Sequence, residues 1–290
     1  MIEELLLGDN PFIGISHLAH EKAREAQKEL TIERKIEVIE AAVESGATGF
    51  TFSTHPANLI LLKHVKQKRP DIFEKLNYYI LVPYVAGYVR EATKTGFPGL
   101  IRRVALKGIS PSTLVSIIPP TPNNFVKLFV EVELKEYMRI LPRDNIRAIL
   151  LHEVLTELVM AFNLARVVTF LNRHFKKQGL GFGLETRNIG CAKSFQEEGK
   201  LELEYIMTPL NPLGYQMSPN RELAENAIVS LSRQGVKIIG INILASGAIT
   251  PDDSLKYLRS FRDYIYAVAF GTSSPQRARE TSKKLRSLIQ

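Results

Sequence analysis

Near its end the chain reads Gly271-Thr-Ser-Ser-Pro-Gln-Arg-Ala-Arg-Glu280, a run with the composition of an anion cradle. Gly271 lets the backbone approach a ligand closely, Thr272, Ser273 and Ser274 offer hydroxyls and amides, and Arg277 and Arg279 add charge. Pro275 suits the first turn of a helix, where unpaired N–H groups favour an anion. Asn211-Pro-Leu and Leu244-Ala-Ser-Gly occupy the same kind of place, where an apolar strand-like run gives way to a polar helix-like one. Other such junctions carry Asp9 and Asn10, Ser53 and His55, Tyr84, His152 and Glu153, Glu185, and Asn242 and Ser246. Polar groups at nearly every junction favour a polar pocket over a decorative rim, without choosing the reaction.

His152 follows Ile-Leu-Leu directly and is expected at or near that pocket, as a functional group or as a core histidine bonded to a neighbour. His55, just before Pro56, and His17, in the first loop with His20, are weaker candidates. His64 and His174 lie among Lys and Arg on expected helices and read as surface residues. Glu153 and Glu185 are candidates for an acid–base pair. Two or three imidazoles with Glu185 or Asp9 would suit a divalent metal, but no His-x-His or His-Glu-x-x-His spacing supports one. Cys191 is near an expected helix start, where a thiolate is favoured, though a buried structural thiol is the plainer reading. There is no nucleophile elbow and no P-loop.

Positioning these groups requires a regular scaffold. Short β-rich runs at 4–7, 48–52, 78–82, 146–151, 180–184, 205–208, 237–244 and 265–270 alternate with amphipathic stretches. Thr31 is an N-cap candidate for a helix with Ile32, Ile36, Ile39 and Val43 at helical spacing, closed by Gly46. Helices are further expected after Pro56, over 156–177 and from Pro275. Eight βα units predict a parallel sheet closed into a single (β/α)8 barrel spanning 1–290. An open doubly wound sheet is the alternative, weakened by the lack of Gly-x-Gly-x-x-Gly after the first strand. An insertion at about 85–145 breaks the rhythm; its Gly, Pro and Ser content suits an extra helix or two, either as a lid or as an elaboration of the outer ring.

The 290 residues, 45% hydrophobic, suit one barrel of about 250 residues or more. The formal charge of +8 favours a small anionic ligand. Nucleic acid is not expected, because the basic runs lack interleaved aromatic residues, and neither is a membrane, because no apolar run reaches about 18 residues. One cysteine excludes an internal disulfide. That, with no signal-peptide pattern, predicts a cytoplasmic protein. Oligomeric state stays open.

With these residues in place, the chain resembles a divergent member of the aldo-keto reductase superfamily. The likeness is carried in order by Leu7-Gly8 through Gly14, Ile39-Glu-Ala-Ala-Val-Glu-Ser-Gly46, Leu150-Leu-His152, Asn211-Pro-Leu213, Leu244-Ala-Ser-Gly-Ala-Ile-Thr250 and Gly271–Glu280. It implies an NADP- or NAD-linked oxidoreductase on a small carbonyl compound or alcohol, with the cofactor held by Ser246, Gly271, Thr272, Ser273, Arg277, Asn211 and Asn242. It also implies a catalytic Asp, Tyr, Lys and His, of which only His152 is retained. Thr51 stands at the Asp position, His55 or Pro56 near the Tyr position, and Tyr84 at the Lys position. Where the family holds nicotinamide, this chain has Glu185-Thr186, Met207 and Ile241. Tyr84 with His152 is the expected replacement donor pair, while His152, Glu185 and His55 would do acid–base work in an enzyme of another class. The alternatives are a lyase, isomerase or hydrolase on a phosphorylated or carboxylated substrate, with or without a divalent metal, and a non-catalytic nucleotide or phosphate sensor.

Overall fold

The computed structural model describes residues 2–14, 30–84, 122–199 and 201–289. His17, His20 and the lid reading of residues 85–121 lie outside them. The fold is a closed barrel of eight parallel strands in sequential order. The strands are β1 Glu4–Gly8, β2 Gly49–Ser53, β3 Asn77–Val82, β4 Ile146–Leu151, β5 Gly181–Glu185, β6 Tyr205–Pro209, β7 Lys237–Ile241 and β8 Ala267–Phe270. The helices are α1 Ile32–Glu44, α2 Pro56–Lys68, the short α3 Pro70–Phe73, α4 Pro122–Ile140, α5 Glu153–Ala161, α6 Ala165–Lys176, α7 Ile189–Gly199, α8 Arg221–Arg233, α9 Pro251–Leu258 and α10 Pro275–Arg286. No helix among the described residues is long and apolar enough to cross a membrane.

Alternation along each strand splits the core in two. Phe50, Phe52, Tyr78, Ile80, Ile149 and Leu151 face the helices, while Leu6, Tyr79, Leu81, Ala148, Leu150, Tyr205, Met207, Ile239, Ala267 and Ala269 fill the barrel. Large and small residues share the interior by necessity. A Cβ on Gly183 would sit 2.2 Å from the Tyr205 carbonyl oxygen, so β5 is narrow where β6 is bulky. At the N-terminal end Tyr79, Tyr205 and Tyr266 meet edge to face, at centroid distances of 6.2 and 5.8 Å. Lys237 Nζ lies over Tyr205 and Tyr266. Tyr266 Oη and Asn77 Nδ2 each donate to buried Glu4 at 3.1 Å. This network seals the floor.

The expected caps are present: Thr31 Oγ1 accepts from Arg34 N, and Gly46 follows α1 at φ +112°. Several expectations need correction. The single helix over 156–177 is two, α5 and α6, because Asn163 turns left-handed at φ 50° and ends the first. β7 stops at Ile241, not 244, because Asn242 is left-handed too. β5 and β8 start one and two residues later than expected, at Gly181 and Ala267. Cys191 is exposed rather than buried, since it faces out from the first turn of α7. His174 is half-buried and bridges α6 to Glu131 on α4 at 3.1 Å, so it is more than a solvated surface residue.

Candidate active site at the barrel mouth

The β2–α2 turn is held from both ends by one carboxylate. Asp9, 4% exposed just past β1, accepts through Oδ2 from Ser53 N and Ser53 Oγ at 3.0 Å and from Asn58 Nδ2 at 2.6 Å. Asn58, buried on α2, also donates to the Ser53 carbonyl at 2.9 Å. Burial pushes the Asp9 carboxyl up to about 6, against the opposing effect of these donors. Between the clamped ends stands His55, whose Nδ1 caps α2 by accepting from Ala57 N at 3.0 Å. Tyr137 of α4 donates its hydroxyl to the His55 carbonyl at 2.8 Å. The His55 ring meets Tyr84 edge to face at 4.7 Å, and Tyr84 N donates to Thr54 Oγ1 at 3.0 Å. Thr51 pairs in register with Gly8, and its buried hydroxyl has no partner among the described residues.

His152 repeats the arrangement after β4. Its backbone N–H donates to Val82 O at 2.9 Å, and its Nδ1 accepts from Val154 N at 3.4 Å at the start of α5. Because Nδ1 accepts in both histidines, each neutral ring carries its proton on Nε2. Next to His152, Glu185 Oε2 accepts from Glu153 N at 3.0 Å, and Glu153 pairs with Arg187 at 2.8 Å. Burial, and secondarily the charge of Glu185, raise the Glu153 carboxyl despite Arg187. Thr186 is fully buried, donates to Glu157 Oε1 at 2.7 Å and accepts from Asn188 N at 2.9 Å.

Asn211, also fully buried, shapes a loop: Nδ2 donates to Tyr215 O at 2.9 Å and Oδ1 accepts from Tyr215 N at 2.8 Å. Asn242 Nδ2 donates to Gln216 Oε1. Gln216, Asn242, Ala245 and Ser246 are all left-handed, at φ 60°, 51°, 45° and 56°. Non-glycine residues pay conformational energy there, and such strain gathers where backbone shape serves a ligand. Ser246 is exposed.

After β8, Gly271 lies under Pro11, whose Cδ would be 3.0 Å from a Cβ at that position. Thr272 Oγ1 accepts from Ser274 N at 3.2 Å, and Ser274 Oγ caps α10 by accepting from Arg277 N at 3.4 Å. The hydroxyls of Thr272 and Ser274 thus bind the loop's own amides. Ser273 and Arg277 are exposed, and Arg277 forms no ion pair among the described residues, whereas Arg279 reaches Glu44 at 3.5 Å. Sequence reading missed Asn58, Tyr137, Arg187 and Gln216. Asn58, three residues past the capping His55, carried a faint signal; Tyr137 and Gln216 act from distant elements and carried none. No group of three or more His, Cys, Asp or Glu suited to a metal ion occurs among the described residues.

No family model and no curated protein matches the chain in sequence. Solved structures match it in shape. A protein from Pseudomonas aeruginosa, provisionally described as an aldo-keto reductase, superimposes with a TM-score of 0.61 over 100% of this chain and 91% of its own, at 13% identity. An aldo-keto reductase from Bacillus halodurans gives 0.56 over 90% of this chain and 87% of its own, at 12% identity. A variant of the Gox0644 protein in complex with NADPH gives 0.53 over 99% and 88%, also at 12%. The chain has the aldo-keto reductase fold. It is a divergent example of that fold.

Two ends of the cofactor position that the aldo-keto reductase fold implies can be tested against the residues present. The phosphate end fits in part: exposed Arg277, without an ion pair among the described residues, stands in the first turn of α10 near exposed Ser273, while the Thr272 and Ser274 hydroxyls already accept from loop amides. The ring end differs. Of the residues that the resemblance assigns to it, Thr186 is consumed by Glu157 and Asn188, Glu185 is a carboxylate that accepts from Glu153 N, and Met207 is buried in the barrel's apolar interior.

Proposed function

We propose that the protein is an NAD(P)-linked oxidoreductase acting on a small carbonyl compound or alcohol. The observation that carries this reading is one barrel mouth combining an uncompensated cation at a helix start, Arg277, with His152 fixed in a donating tautomer. The dinucleotide phosphate would rest on Arg277, Thr272 and Ser273, near exposed Ser246. A bound dinucleotide supplies or accepts the hydride. His152, through Nε2–H, donates to the substrate oxygen and stabilises negative charge as it develops there. The Tyr84 hydroxyl exchanges the proton with that oxygen, and His55 packs against the Tyr84 ring to fix its orientation. The Asp9 clamp keeps the turn that bears His55 in place. The test is loss of nicotinamide absorbance with NADPH or NADH over a panel of small aldehydes and ketones. Turnover that disappears in His152→Gln supports the assignment; turnover unchanged in that variant removes His152 from it.

A second reading rests on the raised carboxyl of Glu153 beside Glu185 and His152. A raised carboxylic acid next to an imidazole suits proton transfer on a phosphorylated or carboxylated substrate, with the anion on the same cradle. It predicts binding of small phosphorylated compounds with no response to any dinucleotide.

A further inference from the structure

The opposite face of the barrel carries a cleft that the proposed function does not use. It opens between the starts of β4, β5 and β6, with a volume of about 520 Å³. That is the size range of small-molecule sites. Arg143, Arg147 and Lys176 supply its cations, and Gly179 and Gly181 contribute bare backbone.

The two arginines are aimed without being neutralised. Arg143 Nη2 donates to the Gln178 carbonyl at 2.7 Å, and Arg147 Nε donates to Asn77 Oδ1 at 2.9 Å. Both acceptors are uncharged, so each guanidinium keeps its full charge and its remaining N–H groups. The cleft's carboxylates, Asp144 and Glu204, are outnumbered by its three cations, and Glu204 is shared with Lys237 at 3.3 Å. Lys176 has only Glu202 at 4.0 Å, with both side chains largely exposed, a contact of small energetic weight. Gly179 holds φ +72° with no atom within 4 Å of a Cβ position, so the wall beside the arginines is open.

We infer that this cleft is a second anion-binding site, for a small phosphorylated compound gripped by Arg143 and Arg147, with Lys176 as a third cation. Two guanidinium forks arriving from different elements suit a tetrahedral group with several terminal oxygens better than a single planar carboxylate. A nucleic-acid strand is disfavoured because the cleft's one aromatic residue, Tyr205, is buried and offers no stacking face.

The experiment is an amide chemical-shift titration of the full chain with inorganic pyrophosphate, run in parallel with citrate and a short single-stranded RNA. Saturable shifts at Gly179, Leu180 and Gly181 are expected with pyrophosphate, and weaker ones with citrate. Affinity at these amides should fall roughly tenfold in Arg147→Gln and in Arg143→Lys, which keeps charge but loses the fork. It should be unchanged in Arg277→Gln, which alters only the cradle at the other end. Shifts confined to residues 271–277, equal affinity in the arginine variants, or tighter binding of citrate or RNA would overturn the inference. The two sites lie at opposite ends of the barrel, so either can fail while the other stands.

Discussion

The interior of the barrel floor and the barrel mouth are both rich in polar side chains, and they use them in opposite ways. Inside the floor, Glu4 is met by Tyr266 and Asn77, Tyr79 meets Tyr266, and Lys237 lies across two rings, so the polar atoms satisfy one another. Burial drives the Tyr79 hydroxyl far above its ordinary range and Tyr266 up to about 12, which keeps both neutral donors. At the mouth, Thr51 Oγ1 and Asn58 Oδ1 are buried without partners and Arg277 forms no ion pair among the described residues, and four non-glycine residues from Gln216 to Ser246 are left-handed. Buried polar groups normally find partners within the fold. Unmet buried groups and left-handed backbone coincide at this end, although Gln196 Oε1, Ser254 Oγ and Ser282 Oγ on outer helices also have no partner among the described residues.

The largest expected effect tests the mouth's clamp through pH. Folded Asp9 binds its proton more tightly, with a value of about 6 against an ordinary 3.8, so the folded chain holds more protons between those limits. Stability from this group therefore falls as pH rises through that window and is level above it. Asp9→Asn keeps an acceptor and loses the charge. The stability of the wild type relative to this variant should decline by about 3 kcal/mol between pH 3 and pH 7, measured by denaturant melts. A flat difference would mean that Asp9 is not a buried, titrating carboxylate.

Next in size is the contrast in catalysis. His152→Gln should lower kcat by about 100-fold on a carbonyl substrate, and Tyr84→Phe by a similar factor, with the melting temperature nearly unchanged in Tyr84→Phe and lowered in His152→Gln only by the loss of the long α5 cap bond. Equal losses of activity and stability would instead give the mouth the structural role of the floor's interior network. Asn211→Ala removes two buried partners of the Tyr215 backbone and should cost about 1–3 kcal/mol of stability. If it costs nothing, the 211–217 loop is shaped by other contacts.

The smallest effect belongs to the floor. Tyr266→Phe deletes the hydrogen bond to Glu4 and the longer one accepted from Tyr79, and should cost about 1 kcal/mol while leaving any turnover untouched. A loss of turnover at that distance would break the division between the two ends.

The mouth side of this division was legible in the sequence, while the floor network was not. The strand ends at His152, Glu185 and Gly271 follow from alternation between apolar runs and polar junctions, and the Thr31 and Pro275 helix starts follow from capping chemistry. The break at Asn163 was not legible, because the apolar pattern on either side continues and only a left-handed residue interrupts it. Asn211 looked like a ligand contact because its position after β6 is right, yet burial and two loop hydrogen bonds absorb its amide. Asp9 appeared as one polar strand end among many. Its clamp on Ser53 and Asn58 joins residues 44 and 49 positions away, a proximity that only closure of β1 onto β2 creates. Interactions within one element can be read from a sequence, whereas those that join separate elements depend on register.

The most direct test of the central claim is the melting temperature of the wild type and of Arg277→Gln with NADPH, NADP⁺, NADH and NAD⁺, each at millimolar concentration. A ligand that binds only the folded state at about 100 times its dissociation constant adds about 2.7 kcal/mol. The account predicts a clear upward shift of the wild type with at least one dinucleotide, and a much smaller one in Arg277→Gln. No shift with any of the four, or the same shift in both proteins, would contradict it.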